Sequence, residues 1–353
     1  DKHLEYIEAK TQEYLDALEE NDAKENLPKI KNIQQKIERL QQNKIRYELL
    51  EEKLKASGEP QISTTDSDAR ALLVQGQVVE ISFNMQAAVD AKHNLVVATH
   101  TINKNDRSAL SAIAIEAKEN LGIETYTALV DKGYHNGKQI EICKQANITT
   151  IVAQPEQGKS NENGTAKDYL AAQFQYDKDT DTYTCPQGET LKTTGSWHKK
   201  TTDRDSYNFK KYRTPKCKEC PVKHLCTSRS GGREIDRSQY ADAVEENNKR
   251  YHANAQLYRK RQEINEHIFG TIKRQWGYNH TNLTGLEKVN GEHNLIMLVY
   301  NIKRSINILG VPDLIAKLKK WNSPYKAKVW FLLKTEYLKL NTTYNFYPMK
   351  FAA

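Results

Sequence analysis

The stretch Tyr126-Thr127-Ala128-Leu129-Val130-Asp131-Lys132-Gly133-Tyr134 decides the fold. Its first five residues are of the strand-forming type, and an acid, a cation and a glycine follow directly. A short apolar run that ends in turn residues predicts a buried strand. The carboxylate of Asp131 would then leave the sheet at its carboxyl edge, where the sites of α/β proteins collect. The alternative is that Asp131 only caps the following turn.

The segments on either side of this strand alternate in type. We predict strands at 61–65, 78–90, 95–102, 126–130 and 149–152, with helices at 108–120 and 137–146. This order predicts an α/β core that begins with residues 61–155. Helical patterns at 244–276 and 291–309 predict a second, helical part of the core over residues 238–310.

Composition divides the rest of the chain. Apolar residues at heptad-like spacing, with no glycine in residues 2–56, predict a helical hairpin or coiled-coil arm over 1–60, which would pack or form a homodimer. Residues 156–237 are poor in aliphatic side chains and hold four of the five cysteines, and they predict a cysteine-rich insertion. Residues 311–353 form a basic tail.

The formal charge of +8 is concentrated at the end of the chain. From residue 303 onward there are ten Lys and Arg but two acids, so the remainder is balanced. A basic tail suggests an acidic polymer as partner, and a solvated basic helix is the alternative. No run of 18 apolar residues and no secretory signal is present, which favours a cytoplasmic protein without a membrane span. Because the chain begins with Asp1 and not Met, a fragment or processed product is one interpretation.

Two further acids are candidates for metal chemistry. Asp66 follows the predicted strand 61–65, although Asp68 competes with it and an ordinary turn is the alternative for both. Asp90 is a third candidate for the metal-binding acid for which Asp66 and Asp68 compete, but the sequence around it resembles a hairpin turn. Glu266 lies in the long helical pattern, almost opposite an apolar row of Leu257, Ile264, Ile268 and Ile272.

The face around Glu266 has two interpretations. It also carries Arg259, Glu263, Gly270 and Lys273. Such a face is usually exposed to solvent, but a glycine one turn after an acid, flanked by cations, also suits a DNA backbone. In the second interpretation Arg259 and Lys273 contact phosphates.

Four cysteines of the insertion could hold Zn²⁺. Cys217 and Cys220 are separated by two residues, Cys226 follows, and Cys185 begins a knuckle-like turn. Four thiolates around a tetrahedral Zn²⁺ would explain how a segment with so few aliphatic side chains can fold. The alternative is four reduced thiols, and His224 is a spare ligand. We expect Cys143, in a helical segment, to be a core residue.

Several of these stretches resemble bacterial insertion-sequence transposases of the DDE type. Residues 130–134 resemble their second-acid motif, and Glu266-His267-Ile268-Phe269-Gly270-Thr271-Ile272-Lys273 resembles the third-acid motif, in which proline usually replaces Ile268. Residues 83–90 and 299–304 also resemble stretches of that family. The similarity runs in order from about residue 64 to residue 310. It implies an RNase H-like catalytic core that cuts and joins DNA with Mg²⁺.

Transferred position by position, the resemblance implies a catalytic, metal-binding triad of Asp66, Asp131 and Glu266 with two Mg²⁺ ions, for which Mn²⁺ can substitute. A signature in relatives runs Tyr, two residues, Arg, three residues, Glu, six residues, Lys. Glu266 and Lys273 satisfy its last interval, whereas Tyr258 and Arg261 lie one residue too far upstream. The rival Glu263 fails that interval.

The implied function is a transposase that acts on the double-stranded DNA of insertion-sequence ends, in the cytoplasm of a bacterium and associated with its nucleoid. Two alternatives stay open. One is a transposase-derived DNA-binding protein that no longer cuts, and the other is a general nuclease with the same fold.

Overall fold

The computed structural model describes residues 2–22, 27–59, 61–74, 78–155, 165–201 and 206–320. The chain divides into two compact units, Asp1–Met297 and Leu298–Ala353. Residues 321–353, which belong to the predicted basic tail, are not among the residues that the structure describes. None of the described helices is both long and apolar enough to cross a lipid bilayer.

Two long helices open the first unit, α1 (Lys2–Asp22) and α2 (Leu27–Ser57). Two contacts show that they are antiparallel. The ring centres of His3 and Tyr47 lie 5.0 Å apart, and Lys44 Nζ lies 2.8 Å from Glu8 Oε1. The contact between the helices buries Ile7 and Ile37. These two helices lie where the sequence predicts a helical hairpin, and the residues that connect them, 23–26, lie outside the described residues.

Two antiparallel strand pairs follow. Strands β1 (Arg70–Val74) and β2 (Val78–Ser82) form the first, and β3 (Asn84–Val89) and β4 (Val96–Ile102) form the second. The predicted single strand 78–90 is therefore two strands. The predicted strand 61–65 is wrong, because the Ser63 hydroxyl accepts hydrogen bonds from the backbone N–H groups of Thr65 and Asp66 and so favours a turn.

The predicted helices and strands of the α/β core are present as α3 (Leu110–Leu121), β5 (Tyr126–Val130), α4 (Gly137–Gln145) and β6 (Ile148–Val152). Strands β5 and β6 are parallel and in register from Tyr126 opposite Ile148. Leu110, Ala114, Ile140 and Cys143 share their buried core, which confirms the prediction for Cys143.

The cysteine-rich segment forms a six-stranded antiparallel sheet with a core of its own. Its strands are β7 (Gln175–Asp177), β8 (Thr182–Thr184), β9 (Thr190–Lys192), β10 (His198–Thr201), β11 (Ser206–Arg213) and β12 (Glu234–Ser238). A short helix, α5 (Lys223–Cys226), lies before β12. Phe174, Leu191, Tyr212 and Ile235 form the centre of this core. Short strands and loops were predicted here, and the strands are confirmed.

The last helices are α6 (Ala241–Ala253), α7 (Ala255–Gly270), α8 (Leu286–Leu309) and α9 (Val311–Lys320). The predicted single helix 244–276 is thus broken at Asn254, whose side chain donates to the Arg250 carbonyl at 2.8 Å. A π-helical turn, Thr271–Gln275, follows α7 directly. The buried Asn247 side chain fixes α6 to β6 through both backbone groups of Val152.

The architecture is a mixed α/β fold, as predicted. Among the described residues, the pairs β3–β4 and β5–β6 are separate two-stranded sheets. The RNase H-like arrangement of these strands therefore stays a prediction.

Candidate active site

Asp131 lies where the sequence predicts it, directly after β5 at the carboxyl end of the parallel pair. Its carboxylate caps the short helical turn Lys132–Tyr134 by accepting the backbone N–H of Lys132 at 2.7 Å. The side chain is 54% exposed. Both sequence interpretations are thus met at once, since the acid caps a turn and is also open to solvent at the sheet edge.

Asp106 is a second carboxylate at this edge, and the sequence analysis missed it. Its Oδ1 accepts hydrogen bonds from Asn84 Nδ2 at 2.7 Å and Gln86 Nε2 at 3.2 Å. A Cβ atom placed on Gly133 would lie 2.9 Å from Asp106 Oδ2, so the loop after β5 approaches this acid closely. The available signal was the sequence Asn105-Asp106, two residues that favour helix starts, between β4 and α3.

Tyr134 lines the same cleft as Asp106 and Asp131. Burial raises the pKa of its hydroxyl, and the negative charges of Asp106 and Asp131 raise it further. A phenol in these surroundings stays protonated and can serve only as a neutral group beside the two carboxylates.

Helix α7 fixes the position of the strand end. The Tyr258 hydroxyl donates a hydrogen bond to the Val130 carbonyl at 3.0 Å. The Arg261 guanidinium lies 3.5 Å from Asp131 Oδ1 and 5.3 Å from the centre of the Tyr258 ring. Although both residues are one position too far upstream in the expected signature, the structure brings both to the predicted second acid.

Glu266 lies on another face of α7. It follows Arg261 by five residues, which turns it by about 140° around the helix axis. Its carboxylate accepts a hydrogen bond from Gln262 at 3.0 Å and is exposed. No hydrogen bond or ion pair described in this structure joins Glu266 to Asp131. Asn265, four residues after Arg261, instead lines the cleft beside Asp131.

Asp66 and Asp68 hold the start of helix α8. Asp66 Oδ2 accepts the backbone N–H of Gly285 at 2.8 Å, and Asp68 Oδ2 accepts that of Leu286 at 3.0 Å. Carboxylates are favourable there because the first N–H groups of a helix have no partner within it. The described contacts give both acids this capping role and join neither of them to Asp131.

Within the described parts of the chain, no group of three or more His, Cys, Asp or Glu residues has an arrangement that could hold a metal ion. The predicted triad of Asp66, Asp131 and Glu266 is thus not assembled into a single cluster. Asp106 and Asp131 nevertheless offer oxygen ligands of the kind that Mg²⁺ prefers, at one edge of the core. The fit to a divalent metal is partial, with two carboxylates in place.

The four cysteines predicted to bind Zn²⁺ are likewise not arranged as a metal-binding group within the described residues, although Cys185 and Cys226 both pack against the core of the sheet. Burial raises the pKa of the Cys226 thiol, Arg233 lowers it, and the thiols of Cys217, Cys185 and Cys220 raise it. Cys185 begins a tight turn in which its carbonyl accepts the N–H of Gly188 at 2.8 Å. All four are free thiols in the structure.

The predicted DNA contacts, Arg259 and Lys273, are both exposed. Lys273 lies in the π-helical turn, where Trp276 N–H bonds the Thr271 carbonyl five residues back at 3.0 Å. The wider turn changes the rotation per residue between Glu266 and Lys273. Its ammonium group lies 5.8 Å from the centre of the Phe269 ring.

Comparison with known protein families finds a similarity in the second half of the chain. Residues 184–306 match a family model described as a transposase DDE domain, which confirms the resemblance to DDE-type transposases. The match covers 123 of 353 residues and includes all four zinc-candidate cysteines, Glu266 and Lys273. No curated protein and no solved structure matches the chain.

Proposed function

We propose, from the transposase DDE domain matched at residues 184–306, that the protein cleaves and joins DNA phosphodiester bonds at insertion-sequence ends with two divalent metal ions. The observation that carries the proposal is the pair of carboxylates, Asp131 and Asp106, at the carboxyl edge of the parallel strands. Phosphodiester chemistry of this kind needs carboxylate oxygens on rigid supports.

The proposed metal ligands are Asp66, Asp131 and Glu266, with Asp106 beside Asp131 and with Asp68 as the rival of Asp66. Bound Mg²⁺ or Mn²⁺ would supply Lewis-acid activation of the attacking and leaving oxygens. The support differs among these residues. Asp131 has a defined position through the turn that it caps and through Arg261. Asp66 and Glu266 would have to approach it in the DNA-bound protein.

The proposed substrate is double-stranded DNA, held by the cations around the site. Arg261 is in place to restrain the carboxylate of Asp131. Arg259 and Lys273 would contact phosphates from the exposed side of α7 and the π turn. Each such contact adds affinity that does not depend on DNA sequence.

We further propose that the N-terminal helices form a homodimer. Helices α1 and α2 bury Ile7 and Ile37 against each other but leave an apolar set exposed: Tyr6, Leu15, Ile45 and Leu49. Long helices whose apolar side chains exceed what one partner covers commonly bind another helix. Such an arm would bring two catalytic cores to two DNA ends.

We also propose a structural zinc site formed by Cys185, Cys217, Cys220 and Cys226. The packing of Cys185 and Cys226 against the core of this sheet supports it, because the ligands of a tetrahedral site must converge. The core of this sheet is small and mostly aromatic, so a metal ion that joins its loops would add to its stability.

A second candidate is a transposase-derived protein that binds DNA without cutting it. The observation in its favour is that Arg261 pairs with Asp131, whereas the hydrogen bond described for Glu266 comes from Gln262. An acid that is neutralised by an arginine, without its partner acids, binds metal poorly.

A nicking assay separates these functions. Supercoiled plasmids with and without the terminal repeats of the element are incubated with the protein, with Mg²⁺ or with a chelator. We expect metal-dependent nicking of the repeat-containing plasmid alone, and its loss in Asp131→Ala and Glu266→Ala with DNA binding retained. Equal nicking of both plasmids indicates a general nuclease. Binding without nicking by the wild-type protein indicates the non-cutting derivative.

A further inference from the structure

Arg237 is a buried cation at the contact between the cysteine-rich sheet and helix α6. It lies in β12 and is 7% exposed. Its guanidinium forms ion pairs with two acids near the start of α6, Asp242 and Glu245. The Tyr183 hydroxyl accepts a hydrogen bond from it at 3.0 Å, and the centre of the Tyr176 ring lies 3.6 Å from its Cζ. A charge removed from water is tolerated only while it stays paired, so these groups hold one another in place.

A further ion pair between this sheet and α6 is exposed. Lys178 Nζ lies 3.2 Å from Asp242 Oδ2, and the Lys178 side chain is 79% exposed. Exposed pairs contribute little because water competes for both charges. The buried guanidinium of Arg237 is therefore the stronger restraint on how the sheet and α6 are oriented.

The later turns of α6 are bound to the α/β core. Asn247 is fully buried and contacts both backbone groups of Val152, and its amide oxygen accepts a further hydrogen bond from Thr150 Oγ1 at 3.2 Å. Arg250 Nε donates to the Thr150 carbonyl at 3.1 Å. Helix α6 is thus held near its start by the sheet and along its length by β6, the strand that pairs with β5.

Helix α6 also contacts the helix that positions the candidate acid. The ring of Tyr251 in α6 meets the ring of Tyr258 in α7 edge to face, with the ring centres 4.9 Å apart. Tyr258 in turn donates to the Val130 carbonyl, directly before Asp131. A row of direct contacts therefore runs from Arg237 through α6 to the end of β5.

We propose that Arg237 is a positioning residue of the candidate active site. It fixes α6 against the cysteine-rich sheet, and α6 passes this restraint through Tyr251 and Tyr258 to the strand end that carries Asp131. The cysteine-rich sheet thereby supports the catalytic edge of the other core. The proposal rests on the proposed DNA cleavage only for its effect on rate, because the restraint on β5 can be measured without DNA.

The planar guanidinium suits this role because it donates to several acceptors in a fixed geometry. Lysine carries the same charge as a single ammonium group, so Arg237→Lys should keep part of the restraint. Arg237→Met removes the charge and retains an unbranched side chain that can contact the ring of Tyr176. The side chains of Asp242 and Glu245 are 49% and 47% exposed, so water can solvate them in this variant and the chain should fold.

Hydrogen exchange measured by mass spectrometry tests the restraint in the absence of DNA. In Arg237→Met we expect the amides of β5 and of the turn around Tyr258 to exchange at least about tenfold faster than in the wild type, because local opening becomes easier. Arg237→Lys should restore part of the protection. The matched control is Arg229→Met, which removes an exposed ion pair with Glu234 within the same sheet and should leave β5 unchanged.

Two exchange results overturn the proposal. Faster exchange that is confined to β12 and the start of α6 means that the restraint does not reach β5. Equal acceleration throughout the chain, including α1 and α2, means that Arg237 contributes only to global stability.

Nicking kinetics provide a readout that a merely structural role would not move. If Arg237 acts through Tyr258, the double variant of Arg237→Met and Tyr258→Phe should lose about as much kcat as the more damaging single variant, because coupled sites are not additive. We expect KM for DNA to stay within about twofold, since Arg237 is not proposed to contact DNA. Losses in kcat that multiply, or a raised KM with unchanged kcat, overturn the proposal.

Failure of the proposed function is distinguishable from failure of this inference. A wild-type protein that does not nick DNA contradicts the proposed cleavage alone. The same double-variant comparison is then made on the exchange rates of β5. Non-additive rates support the role of Arg237, and rates whose increases multiply overturn it.

Discussion

The hydroxyl of Tyr258 donates a hydrogen bond to the carbonyl of Val130, 128 residues earlier in the chain, at 3.0 Å. This contact joins helix α7 to the strand end that positions Asp131. Arg261, one turn further along the helix, reaches Asp131 itself. Two side chains of a single helix turn therefore determine how the predicted second acid is presented.

We predict that Tyr258→Phe lowers the free energy of unfolding by about 1 kcal/mol, the usual loss for one intramolecular hydrogen bond. It should also reduce DNA nicking, because the end of β5 loses its restraint. Urea unfolding and the plasmid assay measure the two effects. Tyr6→Phe, at an exposed hydroxyl of α1, is the matched control and should change neither. Unchanged nicking in Tyr258→Phe would show that this contact is not needed to position Asp131.

Gly133→Ala should lower both stability and nicking. The added Cβ would lie 2.9 Å from Asp106 Oδ2, so the carboxylate or the turn must move. Crowding of this kind typically costs about 1–3 kcal/mol. The control is Gly291→Ala in α8, where nothing lies within 4 Å and alanine should stabilise the helix by roughly 0.5–1 kcal/mol. Full activity in Gly133→Ala would argue against a role for Asp106.

Metal analysis of protein purified without added zinc should find about one Zn²⁺ per chain. Cys217→Ser and Cys226→Ser should each abolish this binding, and a chelator should lower the melting temperature of the wild type. Cys143→Ala should keep its zinc, because that thiol lies in the other core. Zinc-free protein whose four thiols all react freely while folded would contradict the prediction.

Asp181 should make the cysteine-rich sheet sensitive to acid. Hydrogen bonds from Lys210, Tyr212 and Tyr176 lower its pKa to about 2 from the ordinary 3.8. A carboxylate with a lowered pKa stabilises the fold above pH 3.8, and this stabilisation disappears as the pH falls toward 2. Asp181→Asn should therefore melt earlier than the wild type at pH 7, and the difference should shrink steadily as the pH falls from 3.8 toward 2.

The exposed Asp179, two residues away, provides the control for Asp181. Asp179→Asn should follow the wild type at every pH. Melting temperatures measured by circular dichroism from pH 2 to pH 7 provide the test. A constant gap between Asp181→Asn and the wild type over this whole range would contradict it.

Lys273→Ala should weaken binding to every DNA sequence and reduce the slope of log affinity against log salt by roughly 1, as expected for one lost phosphate contact. Fluorescence anisotropy between about 50 and 200 mM salt covers the range in which such effects are large. Lys10→Ala, on the N-terminal hairpin, is the control. An unchanged slope for Lys273→Ala would mean that this face is only solvated.

The sequence predicted best those elements whose signal is local. The strand at 126–130 and the helices around it have apolar patterns of the right period, and Gly122 ends α3 in a left-handed conformation that suits glycine. Residues 61–65 have the composition of a strand, yet Ser63 binds its own neighbours and makes a turn. The break at Asn254 was missed for a similar reason, since one side-chain hydrogen bond outweighs a helical pattern on both sides.

The candidate site was predictable only in part because it depends on contacts distant in sequence. The place of Asp131 follows from its own strand. That of Asp106 depends on Asn84, Gln86 and Gly133, whose proximity no local pattern reveals. Spacing along α7 predicts that Glu266 lies opposite the apolar row of the helix. It could not show that Arg261, on the same side as that apolar row, would reach Asp131.

The π-helical turn at Thr271–Gln275 has a consequence for how this region can change in evolution. Such a turn accommodates one residue more than an α-helical turn. Here one fully buried side chain, Ile268, comes shortly before the turn, and another, Ile272, lies within it. A single-codon insertion or deletion can therefore be absorbed at this point. Homologous chains could differ by one residue here and still keep the same core, while the cation at the position of Lys273 rotates to a new direction.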